Sequence, residues 1–182
     1  MATLPKVLIN RADYQIGGGV ALRLRTQGHR DATAILIAYR HGLRASELVG
    51  LRWDDIDFTT GRLHVRRAKG GETGVHPLGG KELRALRRLQ RESKPGIHVF
   101  VSERGTPLAI SGYRRMVSRA GEAAGFPFLI HSHMLRHSCG YKLANDGQDT
   151  RAIQGYLGHR SITSTQRYTA LATDRFKRFW KD

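Results

Sequence analysis

Apolar and polar positions follow two different rhythms along this chain, and each change of rhythm marks an element. After Asp31, the stretch "ATAILIAYRHGL" is apolar over most of its length and predicts a buried helix with Asp31 as its cap. "RASELVGL" predicts a second, short helix, with Ser46 as a candidate cap and Leu48 and Leu51 facing inward. Over residues 55–78 the rhythm shifts to that of strands. "RLHVR" alternates, "KGGETG" supplies a hairpin turn, and a second strand ends at Pro77. "KELRALRRLQRESK" returns to the helical period and sets Arg84, Arg87, Arg88 and Arg91 on one face. "HVFVS" reads as a further short strand. Helices are then predicted over about residues 111–125, 133–145 and 150–157, with Gly147 suited to the end of the second. "RSITSTQRYTA" and "TDRFKRFW" complete the helical pieces. The class is α+β, mostly α-helical, with a small antiparallel sheet. Residues 1–30, interrupted by Gly17, Gly18 and Gly19, read as a short lead-in, which leaves residues 31–182 as one domain.

Charge narrows the function. The chain carries 31 Lys+Arg against 15 Asp+Glu, a net charge of +16 and a pI near 11.0. Such an excess says little about fold, but it predicts attraction to polyanions through long-range steering and counterion release. The four-arginine helix face is therefore either a solvated face or a phosphate contact. No apolar run approaches the roughly 20 residues that a membrane span needs, and the opening residues lack an apolar signal core. A cytoplasmic location is expected. The lone Cys139 cannot form an internal disulfide, which fits a reducing compartment.

The densest candidate chemistry is "HMLRH", residues 133–137, which follows the apolar run "FPFLI". Three readings compete: a metal site, a phosphate-binding site, or ordinary helix capping. His131, His133, His137 and Cys139 can all ligate a metal, and His133 and His137 share a helix face. Yet position 134 is Met rather than a glutamate base, and there is no second cysteine. Company favours the phosphate reading. "HGLRASEL" lies upstream and "LGHRSITSTQRYT" downstream, so Arg44, Arg136 and His159 become candidate partners, with Tyr168 as a candidate nucleophile. Arginine's planar fork suits the charged oxygens of a phosphodiester in its cleavage transition state. A phenol with an ordinary pKa near 10 attacks poorly unless cationic neighbours favour its phenolate.

Taken together these segments resemble the catalytic domain of tyrosine recombinases, the phage integrase family. The resemblance rests on "GLRASEL" with Arg44, "RAKGG" with Lys69, "HMLRH" with His133 and Arg136, "LGH" with His159, and Tyr168 nine residues later. It covers roughly residues 30–170. Within the family the chain looks most like the short invertases that switch fimbrial expression, on "HMLRHSCG", "DTRAIQGYLGHRSI" and "RFKRFW".

The resemblance implies a site-specific recombinase that inverts, excises or integrates a DNA element. Tyr168 would attack the scissile phosphate, giving a 3′-phosphotyrosyl link and a free 5′-hydroxyl. Arg44, Arg136 and His159 would hold the non-bridging oxygens, and Lys69 would protonate the leaving 5′-oxygen. His133 would assist proton transfer or orient the phosphate. Neither a cofactor, a catalytic metal nor ATP is implied. Glu47 is expected to support Arg44, and His137 to be structural. Arg114, Arg115 and Arg119 are candidate DNA contacts. The implied partners are double-stranded recombination sites, further copies forming a tetramer, and accessory DNA-bending proteins, in a nucleoid-associated setting. Phe176, Phe179 and Trp180 form an apolar face suited to docking on a neighbour or on the chain's own core. The lead-in is too short for the separate N-terminal domain most members carry, so weak single-site binding offset by cooperative assembly is expected. Two other readings share the motifs: a catalytically silent DNA-binding regulator, and a relaxing enzyme like the type IB topoisomerases.

Overall fold

The computed structural model of the chain describes residues 28–67 and 73–170. The first element among the described residues, α1 (Gly28–Arg40), buries Ala34, Ile35, Ile37 and Ala38 almost completely. Asp31 lies inside the first turn of this helix, ion-paired with Arg30 at 2.6 Å, rather than capping it. The helix stops at Gly42, whose φ of 57° is open chiefly to glycine, and a β-carbon there would run into Leu157. α2 (Ala45–Val49) follows. Its cap is not Ser46, which is exposed, but the Glu47 carboxylate reaching back to the Arg44 backbone N–H at 2.9 Å.

A short 3₁₀ turn (Trp53–Asp55) leads into a three-stranded antiparallel sheet: β1 (Ile56–Asp57), β2 (Arg62–Val65) and β3 (Gly74–Pro77), in that order. Leu63 faces Ile56 on one side and His76 on the other, while Val65 faces Gly74. In β2 the predicted alternation holds, with Leu63 and Val65 buried and Arg62 and His64 exposed. β1 has two residues, too few to show a period.

α3 (Gly80–Glu92) turns Leu86 and Leu89 into the core and leaves Arg84, Arg87, Arg88 and Arg91 exposed. Burial of each such leucine contributes about 1.5–3 kcal/mol. Arg87 donates to the Phe58 carbonyl at 3.2 Å, and Arg88 pairs with Glu92 at 2.6 Å. The stretch "HVFVS" is no strand. It is an irregular connection that bends at Val99 and Phe100 between isolated bridges, Arg52 to His98 and Val101 to Pro107, while Val99 and Phe100 fill the core. α4 (Ile110–Ala123) and α5 (Ser132–Asn145) come next. They are followed by α6 (Thr150–Leu157), capped by the Asp149 carboxylate, and by α7 (Thr163–Ala170).

α5 is the central helix. It packs against α1, α4, α6 and α7, and its small residues Ser138, Cys139, Gly140 and Ala144 allow those approaches. The main core lies between α1, the sheet and α2–α5, and a smaller cluster joins Cys139, Ala144, Ile153, Leu157 and Tyr168. The site occupies the seam between the two. Among the described residues no helix is long and apolar enough to cross a membrane.

Candidate active site

Arg44 stands at the start of α2, tied down by one carboxylate. Glu47 accepts from the Arg44 guanidinium at 2.7 Å and from its backbone N–H at 2.9 Å. Glu47 also accepts from Arg67, whose side chain is fully buried, at 3.0 Å. Burial alone would push the Glu47 carboxyl up. The Arg44 hydrogen bonds and the Arg67 charge outweigh it and hold the group below the ordinary carboxylate range. Arg67 donates in addition to the Tyr156 carbonyl at the end of α6. It thereby joins the turn end of the β2–β3 hairpin to α2 and α6. Behind it a buried polar chain runs on through His76, His41 and Glu82, with the two imidazoles 3.2 Å apart and His41 2.8 Å from the Glu82 carboxylate.

α5 supplies three side chains from successive turns. His133 is exposed, His137 half-buried, and Arg136 only 1% exposed. Arg136 donates to the Gly42 carbonyl at 2.5 Å and to the Leu157 carbonyl at 2.6 Å, so the ends of α1 and α6 fix its position. Burial, then the charges of Arg44 and Arg67, bring its pKa down to about 10, which leaves it a cation at neutral pH. Just past α6, His159 Nδ1 lies 2.8 Å from the Thr165 hydroxyl. Burial first, and Arg136 and Arg44 next, bring this imidazole down to about 4.

Tyr168, on α7, closes the cluster. Its ring lies against Gly140, where a β-carbon would come within 2.7 Å of it. Tyr141 meets the ring edge-on at 5.0 Å and His159 stacks at 6.1 Å. The hydroxyl is 2.9 Å from His137 Nδ1. The cationic neighbours do not win the phenolate here. Burial raises the phenol's pKa, and Arg136 and Arg167 offset only part of the rise. In this state Tyr168 is a protonated, 1% exposed phenol.

The structure thus gathers Arg44, His133, Arg136, His159 and Tyr168 around one seam. Lys69 lies outside the described residues, as do Phe176, Phe179 and Trp180. Arg114, Arg115 and Arg119 are exposed on α4. Among the described residues no group of three or more His, Cys, Asp or Glu side chains could hold a metal ion.

Residues 19–175 match the phage integrase family model. The chain belongs to the phage integrase family. The type 1 fimbriae regulatory protein FimE of Escherichia coli K12 is 46% identical over 160 residues, 85% of this chain and 81% of that protein. FimB of the same strain is 44% identical over 156 residues, 83% of this chain and 78% of that protein. Among solved structures, a XerA recombinase superposes with a TM-score of 0.80 at 25% identity, covering 97% of this chain and 64% of that one. A Tn1549 transposon integrase bound to transposon right-end DNA gives 0.76 at 26% identity, covering 96% of this chain and 65% of that one. This phage integrase chain therefore spans less than two thirds of those solved chains.

Reading the family motifs alone does not reach Arg67 or the hydroxyl partner of Tyr168. "RR" at 66–67 looks like a surface pair beside a turn, and only the distant Glu47 and Tyr156 reveal which arginine is buried. Replacing Arg67 with Met is expected to destabilise this integrase-family fold by about 3–5 kcal/mol, since Glu47 loses a buried partner. Urea unfolding measures it.

Acid should act in the same direction. Burial lowers the pKa of His76 to about 3, and those of His137 and His159 to about 4, from an ordinary 6.5. Because the folded-state values are depressed, the unfolded chain binds protons first. The stabilisation is complete above about pH 6.5 and is lost as pH falls toward 4. The melting temperature should therefore drop over that window, less steeply in His76→Asn.

Proposed function

We propose that this chain is a site-specific DNA recombinase that cuts and rejoins strands through a 3′-phosphotyrosyl intermediate. The observation that carries the reading is the placement of the Tyr168 hydroxyl in a seam with Arg136 and His159, beside Arg44. A scissile phosphate entering this seam would meet permanent cations whose positions are fixed by Glu47, Gly42 and Leu157. Preorganised donors of this kind stabilise the charge that develops on the non-bridging oxygens. Arg136 uses two guanidinium N–H groups on carbonyls and keeps the remainder of its fork. In the tautomer that accepts from Thr165 at Nδ1, the His159 imidazole carries its proton on Nε2 and can offer it to an oxygen.

Tyr168 Oη forms the bond to phosphorus as the bond to the 5′-oxygen breaks. The new ester keeps the energy of the old one, so religation needs no ATP. Lys69 is assigned the leaving-group proton by its motif. His133, exposed at the mouth, orients the phosphate. The duplex is bound largely through charge, consistent with the net +16, and Arg114, Arg115 and Arg119 extend that surface. Recombination joins two sites, and the family resemblance implies assembly of four copies on them with accessory DNA-bending proteins. The outcome is inversion, excision or integration of a DNA element.

The test is a nicked half-site duplex cut from the ends of the element the protein acts on. Wild-type protein should form a denaturation-resistant adduct that survives EDTA. Tight binding on a verified site without an adduct would overturn the enzymatic reading and leave a DNA-binding regulator. Relaxation of plasmids that carry no such site would replace recombination with a topoisomerase-like activity.

A further inference from the structure

We propose that His137 is a catalytic residue, the base that takes the proton from Tyr168 Oη as it attacks. The assignment rests on the reading of Tyr168 as nucleophile. His137 is the side chain that touches the reacting oxygen, with Nδ1 2.9 Å from it. Its position is built. His137 lies one turn of α5 below His133, whose ring meets it edge-on at 4.4 Å, and directly follows Arg136. The Tyr168 ring is held on the other side by Gly140 and Tyr141, so the hydroxyl points at the imidazole.

The protonation states suit the transfer. Tyr168 keeps its proton in the buried site, and in the tautomer of His137 that carries its own proton on Nε2 the phenol O–H donates to Nδ1. The imidazole is neutral at physiological pH, its pKa brought down to about 4 by burial and then by His133, Arg167, Arg136 and His131. Those same charges would make it a weak base in the free protein. An incoming phosphodiester offsets them with its own negative charge and so raises the basicity of His137 when the substrate is in place. His133, by contrast, is exposed and meets His137 rather than the hydroxyl.

The step balances. Oη forms the bond to phosphorus and its proton moves to Nδ1, while the bond to the 5′-oxygen breaks and that oxygen takes a proton from the acid assigned to Lys69. In religation the 5′-hydroxyl attacks and gives its proton back to the amine assigned to Lys69, while the bond from phosphorus to Oη breaks and the departing phenolate takes its proton from Nδ1.

Single-turnover adduct formation on the half-site duplex tests this, using one substrate with an ordinary 5′-oxygen and one with sulfur at that position. Sulfur leaves without acid help, so it bypasses a defect at the leaving group and not one at the nucleophile. His137→Ala is expected to be about 100- to 1000-fold slower on both substrates. His137→Asn should remain slow, because its amide oxygen accepts the hydrogen bond but cannot take the proton. Added imidazole should partly restore His137→Ala. Circular dichroism and DNA affinity establish that the variants are folded, and His137→Asn carries the test if the alanine variant is not. A wild-type rate in His137→Asn would reduce the residue to a holder of the hydroxyl and overturn the proposal. So would rescue of His137→Ala by sulfur alone. Failure of wild type to form any adduct would instead overturn the recombinase reading, and this assignment with it.

Discussion

Tyr168→Phe is expected to abolish the covalent adduct while leaving DNA affinity and fold almost unchanged. The phenyl ring retains the contacts with Gly140, Tyr141 and His159 that hold α7 against α5. Only the hydroxyl goes, and with it one hydrogen bond to His137, worth about 0.5–1.5 kcal/mol. Loss of a covalent nucleophile costs on the order of 10⁶ in rate, which places the variant below detection. Half-site DNA run on a denaturing gel, beside a binding titration at matched salt, separates the two effects. An adduct that persists would move the nucleophile to another residue.

Arg136 should give the second-largest effect, divided differently between stability and chemistry. Arg136→Ala strips a donor from the buried carbonyls of Gly42 and Leu157, at about 1–3 kcal/mol each. That loss alone would lower the urea midpoint markedly. Arg136→Lys keeps a charge, but one compact ammonium cannot reproduce a fork that spans both carbonyls and still faces the seam. The lysine variant is expected to fold, with a lower midpoint, and to form adduct about 100- to 1000-fold more slowly. Measuring unfolding and adduct rate on the same preparations tells the contributions apart. A lysine variant at the wild-type rate would remove Arg136 from the chemistry.

The helices were legible where one face is apolar. Leu86 and Leu89 alternate with arginines in α3 at a spacing only a helix satisfies. α5 shows no such stripe, because Ser132, Arg136, Ser138 and Gly140 are buried along with Met134 and Leu135. Its existence was readable from its length and flanking signals, its central position was not. "HVFVS" is a short apolar run because Val99 and Phe100 are core residues, but they lie on a bend between isolated bridges, and apolar pattern alone cannot tell that from a ladder. The motif residues could be marked in the sequence because each sits in a short box. Partnership was not readable, since it spans distance along the chain. Arg67 meets Tyr156 across 89 residues, and His137 meets Tyr168 across 31. No local pattern carries such pairings.

The 1% exposure of Tyr168 bears on selectivity. A net charge of +16 attracts duplex DNA whatever its sequence, and this charge-driven part of the affinity does not distinguish one stretch from another. On the reading of Tyr168 as nucleophile, its cover at rest would keep the protein from nicking DNA to which it is drawn by charge alone. Contacts that a correct site makes and a random one lacks would then be what uncovers the phenol. Discrimination then falls on the speed of cutting rather than on the tightness of the grip, and two sites of equal affinity can differ widely in how often they are broken.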